Sequence, residues 1–484
     1  MKRILPLFAG IFLLLPLFAW AAPQSGATSQ SQSAPPATPA PAEFLDAADE
    51  VLAEMSRLLV LPVKASLKKS IRTKAEIRSY ILRRFDEVKE PDKRYADQKA
   101  LEKFGLIPKG FDLDGFLLEL LTEQVAGLYD PKGKEFFIAD WIGAPEQRMV
   151  MAHELVHALH DQHFNVDPWL EAAKPNDDAL LARDAVLEGA ALAGMIDYLL
   201  RGQNVSVRSL PDIEQLIRRI MVGDLSMSPQ LAGAPPYVRD TLLFPYLSGT
   251  TFTQHVLRAN AGWADFGKVF ENPPVSTQQI LHPELYLAQL TPRPVSLPDF
   301  SRILPAEWKK LDENILGEFG THALLKQFLG PERAERLARG WAGDRYAIFE
   351  RAKTKELLLV FRLRLASEAD AAQFFGSYAE ALELKYAARK DLFRRPNFFS
   401  FSTDEGGVFL RCVGDQCLSA EGTGREVFDR ISRAIGWPPS PRPPARSLQK
   451  SVAAQAAARG ASVSSGQSAI VSAQAPIVLG QAAR

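Results

Sequence analysis

The stretch His153-Glu154-Leu155-Val156-His157 determines how the rest of the chain is interpreted, because it is an H-E-x-x-H pattern within a helical periodicity. Two histidines four residues apart lie about one turn apart on one helix face, so both imidazoles can reach one metal ion. The glutamate after the first histidine can take a proton from a water bound to that ion. The motif therefore indicates a zinc site that activates water.

The flanking residues predict a helix over residues 145–163. Pro145 suits the first helical position, where its missing N–H would have had no partner in any case. At about 100° per residue, the two histidines and Glu154 fall on one side of this helix. The apolar residues 152, 155, 156 and 159 fall roughly opposite. We therefore expect the helix to bury its apolar back and to present the metal-binding face to a cleft.

A catalytic zinc site needs three protein ligands and one open position for water. Our choice for the third ligand is Glu188, which lies in a helical pattern over residues 177–200. The small residues around it, Gly189 above all, would let this helix approach a neighbour closely, at a cost of about 1 kcal/mol in helix propensity per glycine. Two acids are weaker candidates: Glu171 follows the loop-like residues 167–168, and Asp184 has less of the small-residue setting.

His163 offers a different third ligand, at the position where the H-E-x-x-H-x-x-G-x-x-H motif has its last histidine. That motif uses a glycine to turn the chain, and this sequence has His160 there instead. If the helix continues, His163 points away from the metal-binding face. His160 itself lies too far along the axis to be a ligand, which leaves it a role beside the ligands or in a substrate cleft.

At these residues the chain resembles the gluzincins, and more narrowly the bacterial secreted proteins with a peptidase MA-like domain. The resemblance is carried by residues 153–164 and 187–189, and it extends to residues 125–131 and 276–283, roughly the middle half of the chain. It implies zinc held by His153, His157 and Glu188, with Glu154 as general base. The spacing from His157 to Glu188 is longer than in the thermolysin-like members.

Further residues have candidate roles near this site. Asp161 could accept the second ring N–H of a ligand histidine, or it could simply be a surface acid. His282 and Tyr286 are candidates to stabilise an oxyanion, or a buried polar pair that holds a loop. Residues 125–139 read as a β-hairpin. By the resemblance, this hairpin forms the sheet edge on which an extended peptide lies.

The termini suggest an exported protein. Lys2 and Arg3, an apolar run over residues 4–18 and the sequence Ala-Trp-Ala at 19–21 match a signal peptide, although an uncleaved anchor stays open. Residues 22–42 read as a disordered linker and residues 438–484 as a disordered tail. Cys412 and Cys417, the only cysteines, are expected to form a disulfide across a hairpin turn, with free thiols as the alternative.

The expected fold class is α+β, with a mostly helical zincin-like domain over residues 43–298 and a smaller α+β domain over residues 299–437. A helical lead from residue 44 to about 121 is either a packed subdomain or an inhibitory pro-region. In the second domain we expect strands at 346–349 and 357–363, a hairpin at 407–420, and helices at 368–385 and 425–435. That domain carries no catalytic constellation in its sequence.

The sequence therefore predicts an exported zinc metallopeptidase that acts on a peptide or protein. Equal numbers of basic and acidic residues, 57 of each, give no global charge that would attract nucleic acid or an anionic membrane. The alternative function is a periplasmic binding or scaffold protein in which zinc is structural or absent.

Overall fold

A computed structural model of the protein describes residues 11–13, 41–87, 91–211, 213–222 and 229–442. Its secondary structure is mixed, with a helix-rich amino-terminal part and an antiparallel sheet in the carboxy-terminal part. Backbone contacts group the residues up to Ser440 into one unit, and Pro441 begins a second. The predicted boundary between residues 298 and 299 thus lies inside a single unit and stays a prediction.

The first elements of the amino-terminal part are β1 (Ile11–Leu13), α1 (Pro41–Leu59), β2 (Lys68–Arg72), α2 (Lys74–Glu87), α3 (Pro91–Phe104), α4 (Leu113–Gln124), β3 (Val125–Asp130) and β4 (Glu135–Ala139). The central helices follow as α5 (Ala144–Phe164), α6 (Val166–Glu171), α7 (Asp177–Leu200), α8 (Ile213–Val222), α9 (Pro229–Gly233) and α10 (Pro236–Ala259). Four short helices complete it: α11 (Trp263–Phe266), α12 (Lys268–Glu271), α13 (Thr277–Leu281) and α14 (Pro283–Leu287).

The four strands of this part form one sheet in the order β1-β3-β4-β2. The predicted hairpin is confirmed as the antiparallel pair β3–β4. Two strands were not predicted: β2 pairs parallel to β4, and β1 pairs antiparallel to β3. In the described chain the hairpin lies inside the sheet, because β2 pairs with β4 and Ile11–Leu13 pairs with β3. Ile11–Leu13 belongs to the predicted signal peptide, so an edge at β3 in the exported protein stays a prediction.

Close helix packing organises the centre of the molecule. A Cβ added to Gly189 on α7 would lie 2.1 Å from the carbonyl carbon of Gly249 on α10, so these helices touch backbone to backbone. α5 packs against α7 on another side, and α1 covers both. A Cβ on Gly194 of α7 would meet Val156 of α5 at 2.9 Å and Met55 of α1 at 3.3 Å.

The helical lead, α1 to α4, is built into the rest of the fold. Its strand β2 belongs to the same sheet as the hairpin. At the end of α3, the ring of Phe104 packs edge-on against Tyr346 and Phe361 of the carboxy-terminal sheet, with centroid distances of 5.3 and 5.5 Å. Removal of the lead would expose apolar surface at the amino-terminal sheet and at the carboxy-terminal sheet. This favours a packed subdomain over a detachable pro-region.

The carboxy-terminal strands are β5 (Trp308–Asn314), β6 (Trp341–Arg351), β7 (Leu357–Leu365), β8 (Lys390–Arg395), β9 (Phe398–Thr403), β10 (Gly406–Val413) and β11 (Gln416–Thr423). The helices are α15 (Gly317–Leu329), α16 (Pro331–Ala338), α17 (Glu368–Lys385) and α18 (Arg425–Ala434). The seven strands form one antiparallel sheet in the order β5-β6-β7-β11-β10-β9-β8. All the predicted elements of this domain are present, whereas β5, β8, β9, α15 and α16 were not predicted.

The cysteine prediction is confirmed, since Cys412 and Cys417 form a disulfide where β10 turns into β11. Two predicted boundaries are wrong by a few residues. Helix α1 begins at Pro41, inside the expected linker. At the other end, Pro438 and Ser440 are held by hydrogen bonds from the guanidinium of Arg411, so the fold continues slightly into the expected tail.

The rest of the predicted linker and tail, and the signal peptide apart from Ile11–Leu13, lie outside the described residues. Within the described ranges, no helix is both long enough and apolar enough to span a bilayer.

Candidate metal centre

Helix α5 carries the whole H-E-x-x-H motif without interruption. Gly143 precedes it in an extended conformation and Pro145 occupies its first turn. It ends at Asn165, whose left-handed backbone (φ 53°) lets its N–H reach the carbonyl of Asp161 at 3.1 Å. The predicted helix is therefore confirmed, and it runs one residue past His163.

The expectation that this helix presents its metal-binding face to a cleft is wrong. His153 and Glu154 are 0% exposed and His157 is 3% exposed. The sequence indicated the apolar back correctly, but it could not show that strand β3, helix α7 and helix α10 also cover the polar face.

The third predicted ligand lies on α7, which follows the predicted range closely. Asn176 caps the helix, and its side-chain oxygen accepts a hydrogen bond from the N–H of Ala179 at 3.1 Å. Glu188 lies well inside the helix and is 3% exposed. The glycine that follows it, Gly189, is the residue in contact with the backbone of α10.

The structure brings His153, His157 and Glu188 together into one group that could hold a metal ion. Nε2 of His153 lies 3.2 Å from Oε2 of Glu188 and 3.2 Å from Nε2 of His157. The third distance, from Nε2 of His157 to Oε2 of Glu188, is 3.6 Å. Ligand atoms about 2.0–2.1 Å from a tetrahedral ion are about 3.3 Å apart, so the spacing of these atoms fits such an ion.

The charges in this buried group are mutually dependent. Burial lowers the pKa of His153 to about 4, which favours the neutral imidazole that a metal ion requires. Burial opposes ionisation of Glu188, but His157 and His153 outweigh it and lower the pKa of Glu188. The group thus combines two nitrogen donors with a carboxylate in a dry environment.

Glu154 lies beside the triad and against strand β3. Its Oε2 accepts a hydrogen bond from the backbone N–H of Tyr129 at 2.8 Å. A Cβ on Gly127 of the same strand would come within 3.5 Å of Cγ of Glu154 and 2.5 Å of Cγ1 of Val150, so the glycine lets the strand lie flat on α5. The strand therefore helps to orient the carboxylate of Glu154.

Tyr129 connects the strand to α5 a second time, through Asp161. The hydroxyl of Tyr129 donates to Oδ2 of Asp161 at 2.6 Å, and Nζ of Lys134 approaches the same oxygen at 2.5 Å. The other oxygen, Oδ1, accepts from the N–H of Val166 at 3.2 Å. Asp161 thus anchors the hairpin and the helix end. It is 3% exposed, so it is not a surface acid, and these contacts are not with a ligand histidine.

The alternative third ligands lie apart from the triad. Nε2 of His163 donates a hydrogen bond to the carbonyl oxygen of Pro62 at 2.8 Å, so the continuous helix carries His163 away from the triad as the geometry predicted. Glu171 is an exposed partner of Lys174. His160 is buried among aromatic rings, of which Phe270 is the nearest at 4.9 Å.

Asp184 lies one turn before Glu188 on α7 and is 2% exposed. Burial, followed by the charge of Glu188, raises its pKa well above the ordinary value for aspartic acid. A neutral carboxyl is a poor ligand, and Asp184 is not in the clustered group. This agrees with the preference for Glu188.

The two oxyanion candidates have other partners. Nε2 of His282 lies 2.7 Å from Oε1 of Glu318, and the hydroxyl of Tyr286 donates to the carbonyl of Asn272 at 2.9 Å. These bonds hold α13 and α14 in place, as the alternative interpretation expected. The residue that sequence reasoning missed is Tyr246 on α10, whose ring stacks on His153. Gly249 on the same helix is a local sign of close helix packing, but it does not by itself identify Gly189 as the partner.

A second group of acids lies between α3, α7 and β5 and consists of Asp97, Asp177 and Asp312. Nζ of Lys93 lies among them, 2.6 Å from Asp312 and 3.5 Å from Asp177, and it also pairs with Asp97. A lysine ammonium thus supplies the positive charge there. We interpret this group as an ion-pair network that joins the two parts of the fold.

Comparison with known proteins adds little to this picture. Residues 304–431 match a family described as a domain of unknown function (DUF8575), which corresponds to the carboxy-terminal sheet and helices. No curated protein matches the chain. A crystal structure from Chloroflexus aurantiacus, described as a "putative hydrolase with a novel fold", is similar at 14% identity and a TM-score of 0.34. The similarity covers 51% of this chain and 89% of that one, and at this TM-score it supports no conclusion.

Proposed function

We propose that the protein is an exported zinc-dependent peptidase of the gluzincin type, with His153, His157 and Glu188 as ligands and Glu154 as general base. The observation that carries the proposal is the triad itself. Three donor atoms from two helices converge at 3.2, 3.2 and 3.6 Å beside a carboxylate that is not one of the three. A purely structural site has no need for that fourth group.

The donor set suits zinc. Two imidazole nitrogens and one carboxylate oxygen are the ligands of the His₂Glu catalytic sites, and they leave one position for water. When bound, the ion would polarise the scissile carbonyl and lower the pKa of that water toward neutrality.

Glu154 would then perform the proton transfers. Its carboxylate, fixed by the N–H of Tyr129, would take a proton from the attacking water and later deliver it to the leaving amine. Its burial keeps bulk water from competing for the proton. The residues of the chain would therefore orient the reacting groups, exclude bulk water and supply one general base.

The geometry of β3 supports a peptide as the substrate. In the described chain, Ile11–Leu13 pairs antiparallel with β3, and Phe12 lies opposite Gly127. The edge of β3 that faces Ile11–Leu13 can thus accept an extended segment by main-chain hydrogen bonds, next to Glu154. If a signal peptidase removes residues 1–21, that edge becomes available to a substrate strand.

One observation favours the alternative, a binding or scaffold protein with structural zinc: the triad is almost completely buried. The two functions differ in a simple assay. The mature chain should cleave an unstructured protein such as casein, lose this activity with a chelator, and regain it with added zinc. A Glu188→Ala variant that has lost zinc should be inactive. Tightly bound zinc without any cleavage would favour the scaffold.

A further inference from the structure

Tyr246 on α10 is, besides Glu154, a further buried side chain at the metal triad. Its ring stacks on that of His153, with centroids 6.3 Å apart and planes inclined by 26°. Its hydroxyl forms a hydrogen bond with Glu188. The side chain is 5% exposed. One residue thus contacts two of the three candidate ligands, from a helix that supplies none.

The closest approach of two helices positions this residue. Gly189 on α7 and Gly249 on α10 are in backbone contact, and a Cβ on Gly249 would lie 2.1 Å from the carbonyl oxygen of Ala185. Glu188 is adjacent to the first glycine, and Tyr246 is within one turn of the second. The crossing of the helices therefore sets the distance between the tyrosine and the carboxylate.

The hydroxyl has a specific task in such a site. A carboxylate that binds a metal ion with one oxygen leaves the other in need of a donor, and in a dry interior water does not supply it. A donor to that oxygen restricts rotation of the carboxylate away from the ion. The stacked ring likewise restricts the imidazole of His153 to a narrow range of orientations.

We propose that Tyr246 is a positioning residue that holds Glu188, and through its ring His153, in the geometry that binds the metal ion. This role rests on the proposed function. It acts through the ligands, so its loss should weaken metal binding itself. Partners of metal ligands typically contribute about 10–100-fold to metal affinity, and we expect an effect of this size.

The test is Tyr246→Phe, which keeps the ring and removes only the hydroxyl. Zinc affinity is measured by competition with a chromogenic chelator, and the unfolding midpoint of the metal-free protein is measured in parallel. The matched control is Tyr286→Phe, which also removes one tyrosine hydroxyl near α10. The hydroxyl of Tyr286 donates to the carbonyl of Asn272, and the Tyr286 ring lies 5.0 Å from the ring of Phe252 on α10. We expect about 10–100-fold weaker zinc binding in the first variant and unchanged binding in the second.

A double-mutant cycle separates this role from general packing. If Tyr246 acts through Glu188, then Tyr246→Phe should cause no further loss in the weak zinc affinity that His153 and His157 keep in a Glu188→Ala background, measured by direct titration at high zinc concentration. An equal loss in both backgrounds would overturn the role, as would parental affinity in Tyr246→Phe. A parent protein that binds no zinc would instead overturn the proposed function, and the positioning role with it.

Discussion

The substitution Gly189→Ala tests whether close helix contact delivers the third ligand. The new Cβ would lie 2.1 Å from the carbonyl carbon of Gly249, and ordinary contact begins at about 3.4 Å. The helices would have to separate by about 1.3 Å, whereas metal–ligand distances tolerate only about 0.2 Å. Glu188, the preceding residue, would move with α7. We expect zinc affinity to fall about 100-fold or more.

The free energy of unfolding should change less than the free energy of zinc binding in this variant. Overpacking costs about 1–3 kcal/mol, and replacing a helical glycine by alanine recovers about 1 kcal/mol, which leaves a loss of about 0–2 kcal/mol. The control is Gly376→Ala in α17, where a Cβ meets no atom within 4 Å. It should gain about 1 kcal/mol and keep its zinc. The measurements are urea unfolding of the metal-free protein and chelator competition. Parental zinc affinity in Gly189→Ala would refute the reasoning.

Three further predictions address the ligand set, the buried histidine and the chain ends. His163→Ala should keep zinc, since its ring contacts the carbonyl of Pro62; loss of the metal in this variant, with retention in Glu188→Ala, would reverse the assignment. Burial lowers the pKa of His160 to about 3, so the folded state binds fewer protons than the unfolded one and stability falls as the pH drops below about 6.5. Between pH 7 and pH 5, protonation of this histidine in the unfolded state should lower the free energy of unfolding of the metal-free protein by about 2 kcal/mol. In urea unfolding, the His160→Phe variant should show a pH dependence that is smaller by this amount. The same pH dependence in both proteins would contradict the prediction. Protein from the native host should begin near Ala22 and contain no free thiol. Replacing both cysteines by serine should lower the free energy of unfolding by about 2 kcal/mol and leave zinc affinity unchanged. Mass spectrometry that finds Met1 and two alkylatable cysteines would contradict export.

Local sequence patterns predicted the site better than they predicted its surroundings. The bounds of α5 and α7 followed from periodicity, Pro145 and the small residues, all of which act within a few positions. The convergence of Glu188 with the two histidines followed from one physical requirement, a close helix approach. The partner in that approach, Gly249 on α10, could not be identified, because nothing local links it to Gly189.

The missed strands have a similar cause. β2 (Lys68–Arg72) reads K-K-S-I-R and lacks the apolar run of a buried strand, so only its partner β4 makes it one. Ile11–Leu13 lies in a segment that the sequence assigns to export, and its pairing with β3 depends on an edge that only the fold reveals. The expectation of a cleft was wrong for the same reason, since the elements that bury the polar face of α5 are distant from it in sequence.

The most direct test of the central claim is to measure zinc content and hydrolysis on the same preparation of Glu154→Gln. The amide cannot accept a proton from water, while His153, His157 and Glu188 are untouched. The account predicts parental zinc content and affinity together with a loss of about 10²–10⁴-fold in kcat/KM on an unstructured substrate. Hydrolysis at the parental rate by the zinc-loaded variant would contradict it.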